Sequence, residues 1–541
     1  MLLIEKIQNV FPRASDIPQP LLEDIPYVQT GYLVDGEIRI WDGPRQEVLS
    51  PVWVAGGAGP KPFFVGEYPL LTEAQALQAL DAAVAAYDHG RGLWPTLPVA
   101  ERIDHLQRFV FRMIEERARV VRFLMWEVGK SLQDSEKEFD RTIQYINDTL
   151  SALKDLDRIS SRFTIEEGII GQIRRAPMGV VLCMGPFNYP LNETFTTLIP
   201  ALAMGNTVIL KPPKHGALLY APLLAALRDV FPKGVINVIT GEGRKVIPAL
   251  MASGKINVLA LIGTSKTANA LKKLHPSPNR LRCVLGMEAK NPAIVLKGAD
   301  LDLAVKECVL GSLSFNGQRC TALKILFVEA AIADAFLERF VAAVNALSFG
   351  MPWREGVFVT PVAEKGKTDY LRELVSDAVA QGARVVNPAG GTVCGSFFFP
   401  AILYPVHHTM RVYHEEQFGP VIPVLSFDQI AEPIAYMINS NYGQQVSIFG
   451  SDPDQIARLI DPLVNQVCRV NINSQCQRGP DTFPFTGRKD SAEGTLSVSD
   501  ALRVFSIRTL VAAKQTDLNK QIITRIVRDH KSKFLATDFI L

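Results

Sequence analysis

The stretch GVVLCMGPFNYP, from Gly179 to Pro190, joins a short apolar run to a turn that holds two prolines and an asparagine. Three similar apolar runs follow it, and helix-like segments separate them: NTVILKP (206–212), GVINVITG (234–241) and INVLALIG (256–263). Short apolar strands that alternate with helices are typical of a parallel sheet covered on both faces. The predicted fold class is therefore α/β.

A second series of apolar runs lies further along the chain: NPAIVL (291–296), KILFV (324–328), VIPVLSF (421–427) and QVSIFG (445–450). Two such series predict two α/β domains in one chain. Before them, residues 72–158 carry apolar side chains at helical spacing. Residues 1–60 are rich in proline and glycine, which indicates an N-terminal arm.

The composition argues against several classes of protein. The chain has 541 residues and a net charge of +2 from 57 basic and 55 acidic residues, which are interspersed along it. This pattern does not predict a nucleic-acid partner. The chain has no apolar run of about 18 residues and no signal-peptide core, which predicts a cytoplasmic protein without membrane contact. Seven cysteines without a CxxC pair indicate neither a disulfide framework nor a metal site.

One cysteine has a distinctive setting, because FNGQRCT (315–321) places Cys320 after a Gly-Gln-Arg turn and before an apolar strand. Small and polar neighbours would leave its sulfur accessible, and Arg319 would favour the nucleophilic thiolate. By itself, a cysteine beside an arginine is more often structural.

Two strand ends of the first series carry polar side chains. Asn188 lies at a carboxyl end, where α/β proteins place their sites, and its amide is a good donor to a developing oxyanion. Lys211 ends the next strand, where it can meet a ribose hydroxyl or a phosphate. Two later loops, EEQFGPV (415–421) and QRGPDTFPFTG (477–487), each combine charge with glycine. Each segment alone also fits an ordinary turn or loop.

In their order and spacing, these five segments resemble the aldehyde dehydrogenase superfamily, from about Thr72 to Leu510. Within it, FNYP together with QRGPDTFPF is most similar to the non-phosphorylating, NADP-dependent glyceraldehyde-3-phosphate dehydrogenases. The resemblance implies an aldehyde dehydrogenase-like α/β fold, with two parallel-sheet domains and a small oligomerisation β-extension. It also implies a homo-tetramer or a homo-dimer.

The implied boundaries divide the chain into three parts. Residues 1–158 and 178–288 would form the cofactor-binding domain, and residues 289–488 the catalytic domain. Residues 159–177 and 489–541 would supply oligomerisation strands and a C-terminal tail.

The resemblance assigns the chemistry to Cys320, whose thiolate attacks the aldehyde carbon to give a thiohemiacetal. The Asn188 amide and the Cys320 backbone N–H would hold the oxyanion. Hydride transfer to the nicotinamide leaves a thioester on Cys320, and water or another acceptor releases the acid.

The resemblance also implies where the cofactor lies. Lys211 would contact the adenosine ribose, and Gly263 and Thr264 would lie near the pyrophosphate. Glu416 would bind the nicotinamide ribose, with Phe418 beside it. The GxGxxG fingerprint is absent after the predicted strands, so the pyrophosphate would not be bound in the usual Rossmann manner.

Lys214 bears on the choice of cofactor. Members of the superfamily that prefer NAD often carry a glutamate at this position, which binds the 2′-hydroxyl. A lysine instead attracts a 2′-phosphate by charge. NADP is therefore the predicted cofactor, with NAD as the alternative.

Tyr189, Arg319 and Arg478 lie in motifs that resemble the phosphate-binding residues of the glyceraldehyde-3-phosphate enzymes. Arginine forks suit phosphate geometry, so the predicted reaction oxidises glyceraldehyde 3-phosphate to 3-phosphoglycerate. A further basic residue, from the helix around Lys154 or Arg158, is a candidate to join them. Alternatively, Arg319 only activates Cys320, Arg478 is structural, and the substrate is a non-phosphorylated aldehyde or semialdehyde.

One position departs from the superfamily. Most members carry a glutamate that serves as the base for deacylation, whereas this chain has Gly286 there and a glutamate two residues later, Glu288. Either the loop is rearranged so that Glu288 reaches the thioester, or water is activated differently, or the acyl group passes to coenzyme A. A non-catalytic, cofactor-binding structural protein is a more distant alternative.

Overall fold

The computed structural model describes residues 3–57 and 59–540, and two large sheets dominate that part of the chain. In spatial order, the eight strands of the first sheet are Ala492–Glu493, Arg282–Gly286, Val258–Ile262, Val180–Met184, Thr207–Lys211, Ile236–Val238, Gly31–Val34 and Glu37–Ile40. Helices against this sheet include Glu73–Tyr87, Asn192–Ala203, Leu224–Val230, Gly243–Ala252 and Ser265–Leu274. The predicted α/β class is confirmed.

The central strands of the first sheet contribute alternate side chains to two hydrophobic cores. Val181 and Val208 belong to one core, whereas Leu182 and Ile209 belong to the other. Successive side chains of a strand point to opposite faces, and here both faces are covered. This explains why these strands form unbroken apolar runs in the sequence.

The order of the parallel strands reverses at Val180–Met184. The chain first adds Thr207–Lys211 on one side of this strand and later adds Val258–Ile262 on the other. Carboxyl ends of strands at such a reversal diverge and leave a crevice, which is where open α/β sheets bind their ligands. The loops that follow Met184 and Ile262 therefore face each other across this crevice.

The second sheet is also mainly parallel. Its seven strands, in spatial order, are Arg384–Val385, Ala401–Tyr404, Val421–Phe427, Leu323–Glu329, Asn291–Val295, Gln445–Phe449 and Arg469–Ile472. Helices that follow these strands include Leu301–Leu313, Ala333–Asn345, Lys367–Ala380, Ala431–Asn439 and Pro453–Leu463. Cys320 and Glu416 come just before two of the strands, so the second sheet presents its amino edge to the site.

A third, antiparallel sheet consists of Phe163–Glu166, Ile169–Pro177 and Ser506–Lys514. Ile165 and Leu510, on its two outer strands, are 55% and 56% exposed. A face with exposed apolar side chains on a small sheet is a common feature of subunit contacts. The predicted use of these strands in oligomerisation stays a prediction, as do the domain boundaries.

The segments outside these sheets complete the N-terminal and C-terminal parts. Tyr27–Val28, Arg45–Val54 and Lys61–Pro69 form a further sheet, and the hairpin Gly31–Ile40 extends the first sheet, so this part is more than an arm. The remaining helices are Leu3–Gln8, Leu93–Thr96, Val99–Glu115, Arg117–Val128, Leu132–Ser160, Arg411–His414, Val498–Val504 and Asp517–Arg528. Two short strand pairs are Val393–Cys394 with Phe397–Phe398, and Tyr442–Gly443 with Arg488–Lys489. Across the described residues, every helix is too short or too polar to cross a bilayer.

Candidate active site

A cavity of about 1010 Å³ lies between the carboxyl edge of the first sheet and the amino edge of the second. Every site residue predicted from the sequence except Lys211 lines it: Cys320, Asn188, Glu288, Lys214, Gly263, Thr264, Glu416, Phe418, Tyr189, Arg319 and Arg478. These residues come from loops that are far apart in the sequence. The two sheets therefore bring the predicted motifs together at one place.

Cys320 is half-buried at the wall of this cavity. Its main-chain carbonyl accepts hydrogen bonds from the Asn291 side chain at 2.8 Å and from the Lys324 ammonium at 3.2 Å. Burial raises the pKa of the thiol, and the negative charge of Glu193 raises it further. Lys324 and Arg478 act in the opposite direction, because a positive charge favours the thiolate.

The contacts of Arg319 do not match the prediction that it activates Cys320. Its guanidinium donates hydrogen bonds to the carbonyls of Leu310 and Gly311 and to the Gln475 side chain. The positive charges that lower the pKa of the Cys320 thiol come from other residues. The Nε of Arg319 is buried and has no partner among the described residues.

Asn188 is bonded to the loop that carries Cys320. Its side-chain amide donates to the Gln318 carbonyl at 2.8 Å, and its own carbonyl accepts from the Lys130 ammonium at 2.8 Å. Lys130 forms a fully buried ion pair with Glu138, whose second oxygen accepts the Leu191 N–H at 3.0 Å. The loop that carries Asn188 is thus fixed by a buried charged pair that the sequence did not reveal.

Another part of the cavity wall presents groups that suit an anion. Gly263 and Thr264 follow the strand Val258–Ile262, and Thr264 caps the helix Ser265–Leu274 by accepting the Thr267 N–H. A helix N-terminus favours negative charge, as a pyrophosphate would supply. Glu288 already accepts the Ser265 N–H at this terminus, at 2.8 Å.

Two lysines end the neighbouring strand and its loop. Lys214 is exposed and lines the cavity, whereas Lys211 is buried and is not among the lining residues. Lys211 forms no ion pair with any residue that the structure describes, and burial lowers its pKa to about 8. A buried lysine without a counter-charge fits an anionic or hydroxyl-bearing ligand.

Glu416 is anchored from two sides. It forms an ion pair with the buried Lys324 and accepts the Ala289 N–H at 3.1 Å. Phe418 adopts a left-handed backbone conformation, with φ of 43°, and its ring lies 5.3 Å from the Lys324 ammonium. Both side chains are therefore placed in the cavity wall by Lys324, which also holds Cys320.

Arg478 is buried and is paired with two carboxylates. It forms ion pairs with Glu193 and with Asp481, the latter at 3.0 Å, and it donates to the Leu496 carbonyl. These charges raise its pKa. Tyr189 lines the same cavity, with the Lys130 ammonium 3.6 Å from its ring centre.

The helix Leu132–Ser160 contributes one basic residue to the cavity, and it is Arg141. The sequence suggested Lys154 or Arg158 on the same helix, but neither is a lining residue. Arg141 forms a bidentate pair with Asp481 at 3.0 and 3.1 Å, and its side chain is 37% exposed. Arg141 lies about five helical turns before the end of the helix, and nothing in the sequence around it marks it as a site residue.

Chemically, the cavity combines a thiol, an amide donor and several cations. No group of His, Cys, Asp and Glu side chains suited to a metal ion occurs within residues 3–57 and 59–540. The arrangement suits covalent chemistry on a carbonyl carbon, with the oxygen held by hydrogen-bond donors. The fold and the site together define an α/β protein with a cysteine-lined cavity between two mainly parallel sheets.

Comparison with known proteins agrees with this class. The model of the aldehyde dehydrogenase family matches residues 63–511. The NADP-dependent glyceraldehyde-3-phosphate dehydrogenase of Streptococcus equinus is 31% identical over 84% of this chain and 92% of its own length. The lactaldehyde dehydrogenase of Methanocaldococcus jannaschii is 27% identical over 83% of this chain and 95% of its own length.

Solved structures give the same result. The NADP-dependent glyceraldehyde-3-phosphate dehydrogenase of Bacillus halodurans, complexed with NADP, is 30% identical. It has a TM-score of 0.82 and covers 90% of this chain and 100% of its own. The chain therefore belongs to the aldehyde dehydrogenase family and is an NAD(P)-dependent oxidoreductase that acts on aldehydes. The predicted superfamily and its fold are confirmed.

Proposed function

We propose that this enzyme oxidises glyceraldehyde 3-phosphate to 3-phosphoglycerate with NADP. One observation carries the substrate assignment: Arg141, Arg319 and Arg478 line the same cavity as Cys320. Guanidinium groups bind phosphate oxygens through paired hydrogen bonds. The similarity to glyceraldehyde-3-phosphate dehydrogenases of about 31% identity supports the same substrate.

In the proposed mechanism the Cys320 thiolate attacks the aldehyde carbon and forms a thiohemiacetal. The Asn188 amide and the Cys320 backbone N–H donate to its oxyanion, which lowers the barrier to carbon–sulfur bond formation. NADP, when bound, supplies the hydride acceptor. Oxidation leaves an acyl thioester on Cys320, which is then cleaved.

The residues at the far end of the cavity suit NADP. Lys214 is an exposed cation that lines the cavity, and Gly263 and Thr264 lie at a helix N-terminus. Glu416 and Phe418 line the same cavity and are assigned to the nicotinamide ribose. The relatives named for NADP dependence and the solved complexes with NADP support this choice over NAD.

The test is a steady-state assay with glyceraldehyde 3-phosphate, with NADP or NAD, and with or without coenzyme A. We expect NADPH formation without coenzyme A and loss of activity in Cys320→Ser. If activity depends on coenzyme A, the acyl group on Cys320 is transferred to the thiol of coenzyme A instead of to water. Activity that survives in Cys320→Ser would refute the covalent mechanism.

A non-phosphorylated aldehyde is the second candidate substrate. The observation that favours it is the ion pairing of Arg478 with Glu193 and Asp481, which already matches its charge. Lactaldehyde dehydrogenases among the similar proteins point the same way. A substrate panel that includes lactaldehyde and glyceraldehyde separates the two candidates by kcat/KM.

We further propose that the enzyme is a cytoplasmic homo-dimer or homo-tetramer. The exposed apolar side chains of the third sheet support this, since water-exposed leucine and isoleucine on a strand favour a protein contact. Light scattering of the purified protein measures the assembly directly. A monomer at micromolar concentration would refute it.

A further inference from the structure

We propose that Glu193 is the general base that activates water to hydrolyse the acyl-enzyme on Cys320. It would replace the glutamate that is absent at Gly286. The inference rests on the proposed thioester mechanism and names the residue that completes it. It also removes the need to recruit Glu288.

Glu193 lies in the first turn of the helix Asn192–Ala203, five residues after Asn188. Glu193 is 8% exposed and lines the same cavity as Cys320. The helix follows directly from the loop that carries the oxyanion donor. One rigid segment therefore presents both the amide donor and a carboxylate to the nucleophile.

The contacts of Glu193 leave one oxygen available. Its Oε2 pairs with Arg478, whereas its Oε1 takes no hydrogen bond from any residue that the structure describes. The ion pair with Arg478 orients the carboxylate and leaves Oε1 as a possible proton acceptor. A water molecule between Oε1 and the acyl carbon would then have its acceptor in place.

The charge of Glu193 acts on the Cys320 sulfur directly. After burial, it is the largest contribution that raises the pKa of the thiol. Glu288 is not among the charges that act on this thiol. Glu193 and Cys320 both line the same partly buried cavity, where a charge acts on a thiol more strongly than it does in open water.

Glu288 is committed elsewhere. Its Oε2 accepts the Ser265 N–H at 2.8 Å, and its Oε1 accepts the Ser265 hydroxyl at 3.4 Å. Both oxygens therefore serve the N-terminus of the helix Ser265–Leu274, at the predicted pyrophosphate end of the cavity. To reach the thioester, Glu288 would have to give up both bonds.

The proposed step balances without a further reactant. Glu193 takes one proton from water as the water oxygen bonds to the acyl carbon. The tetrahedral intermediate collapses, the carbon–sulfur bond breaks, and the electron pair returns to the Cys320 sulfur. The proton on Glu193 passes to this sulfur, which leaves a carboxylic acid and a free thiol.

The test compares Glu193→Gln with Glu288→Gln in rapid mixing with aldehyde and NADP. Glutamine keeps an oxygen for Arg478 but cannot accept the proton. General-base catalysis contributes about 100- to 10,000-fold, so steady-state turnover of Glu193→Gln should fall at least about 100-fold. The initial burst of NADPH should remain, and intact-mass spectrometry should show the acyl group on Cys320. Glu288→Gln lies at the predicted cofactor end of the site, so its readout is the acyl group: it should continue past the burst without accumulating the acyl-enzyme at saturating NADP.

A second variant keeps the test decisive if Glu193→Gln is impaired more broadly. A Cβ at residue 286 would meet Ile262 and Leu496 no closer than 3.5 Å, which is an ordinary contact. Glu193→Gln combined with Gly286→Glu should therefore regain turnover, whereas Glu193→Gln with Gly286→Gln should not.

Several outcomes would overturn the role of Glu193. Glu193→Gln could turn over at the wild-type rate, or it could lose the NADPH burst as well as turnover. Gly286→Glu could fail to restore turnover to Glu193→Gln. Finally, the wild-type enzyme could release its acyl group only when coenzyme A is added. A wild-type enzyme that forms no acyl-enzyme would instead refute the proposed function itself.

Discussion

The side-chain amide of Asn188 donates a hydrogen bond of 2.8 Å to the main-chain carbonyl of Gln318, two residues before Cys320. This bond joins the loop at the carboxyl edge of the first sheet to the loop at the amino edge of the second. A side-chain amide carries two N–H groups, so one remains for a substrate oxygen. The same nitrogen can thus hold the Cys320 loop and still offer an N–H to the oxygen of a bound aldehyde, as the proposed mechanism requires.

Asn188→Ala should lower kcat/KM for the aldehyde by about 100- to 1,000-fold, because one preorganised oxyanion donor is lost. The affinity for NADP, measured by fluorescence titration, should not change. Circular dichroism checks that the loss of the bond to Gln318 leaves the fold intact. A folded variant whose kcat/KM falls less than about tenfold would show that Asn188 only holds the loop.

Lys214→Glu should shift the cofactor preference from NADP towards NAD. A carboxylate repels the 2′-phosphate and accepts a hydrogen bond from the 2′-hydroxyl, so the ratio of kcat/KM for NADP over NAD should fall at least about tenfold. Lys273→Glu is the matched control, since Lys273 is an exposed lysine at the last turn of the helix Ser265–Leu274 and does not line the cavity. An equal loss with both cofactors would contradict the assignment of Lys214.

The binding of NADP should weaken as the pH rises through about 8. Burial lowers the pKa of Lys211 to about 8, so the side chain is charged below this pH and neutral above it. Loss of the charge removes an attraction for an anionic cofactor, so Kd should increase between about pH 7 and pH 9. Lys211→Met should bind NADP weakly at every pH, without the increase in Kd near pH 8. Persistence of this increase in Lys211→Met would assign it to another group.

The sequence predicts those parts of the site that follow from local pattern. Asn188 and Lys211 are predictable because Lys211 ends one continuous apolar strand and Asn188 lies in the loop that directly follows another. The carboxyl edge of a parallel sheet places such residues at a ligand crevice. The second sheet does not follow this rule, since Cys320 lies at its amino edge. There the prediction depended on the FNGQRC motif rather than on topology.

Local sequence patterns do not predict contacts between residues that are far apart in the sequence. Glu193 and Arg478 pair although 285 positions separate them, and nothing in either local segment specifies the partner. Arg141 is one of several basic residues on a long helix, and only the packing of that helix decides which one reaches the cavity. The sequence also predicted that Arg319 activates Cys320, but the fold directs its guanidinium to the carbonyls of Leu310 and Gly311 instead.

Arg141→Ala should raise the KM for glyceraldehyde 3-phosphate while leaving the KM for glyceraldehyde unchanged. The guanidinium is 37% exposed and pairs with Asp481, so it retains N–H groups for a phosphate. A hydrogen bond to a charged group is worth about 1.5–3 kcal/mol, which corresponds to an increase of about 10- to 150-fold in KM. Arg158→Ala, on the same helix but outside the cavity, is the control and should change neither value. If Arg141→Ala raises the KM for both aldehydes equally, Arg141 only supports Asp481 and Arg478 structurally. The phosphate of the substrate is then bound elsewhere, or the substrate carries none.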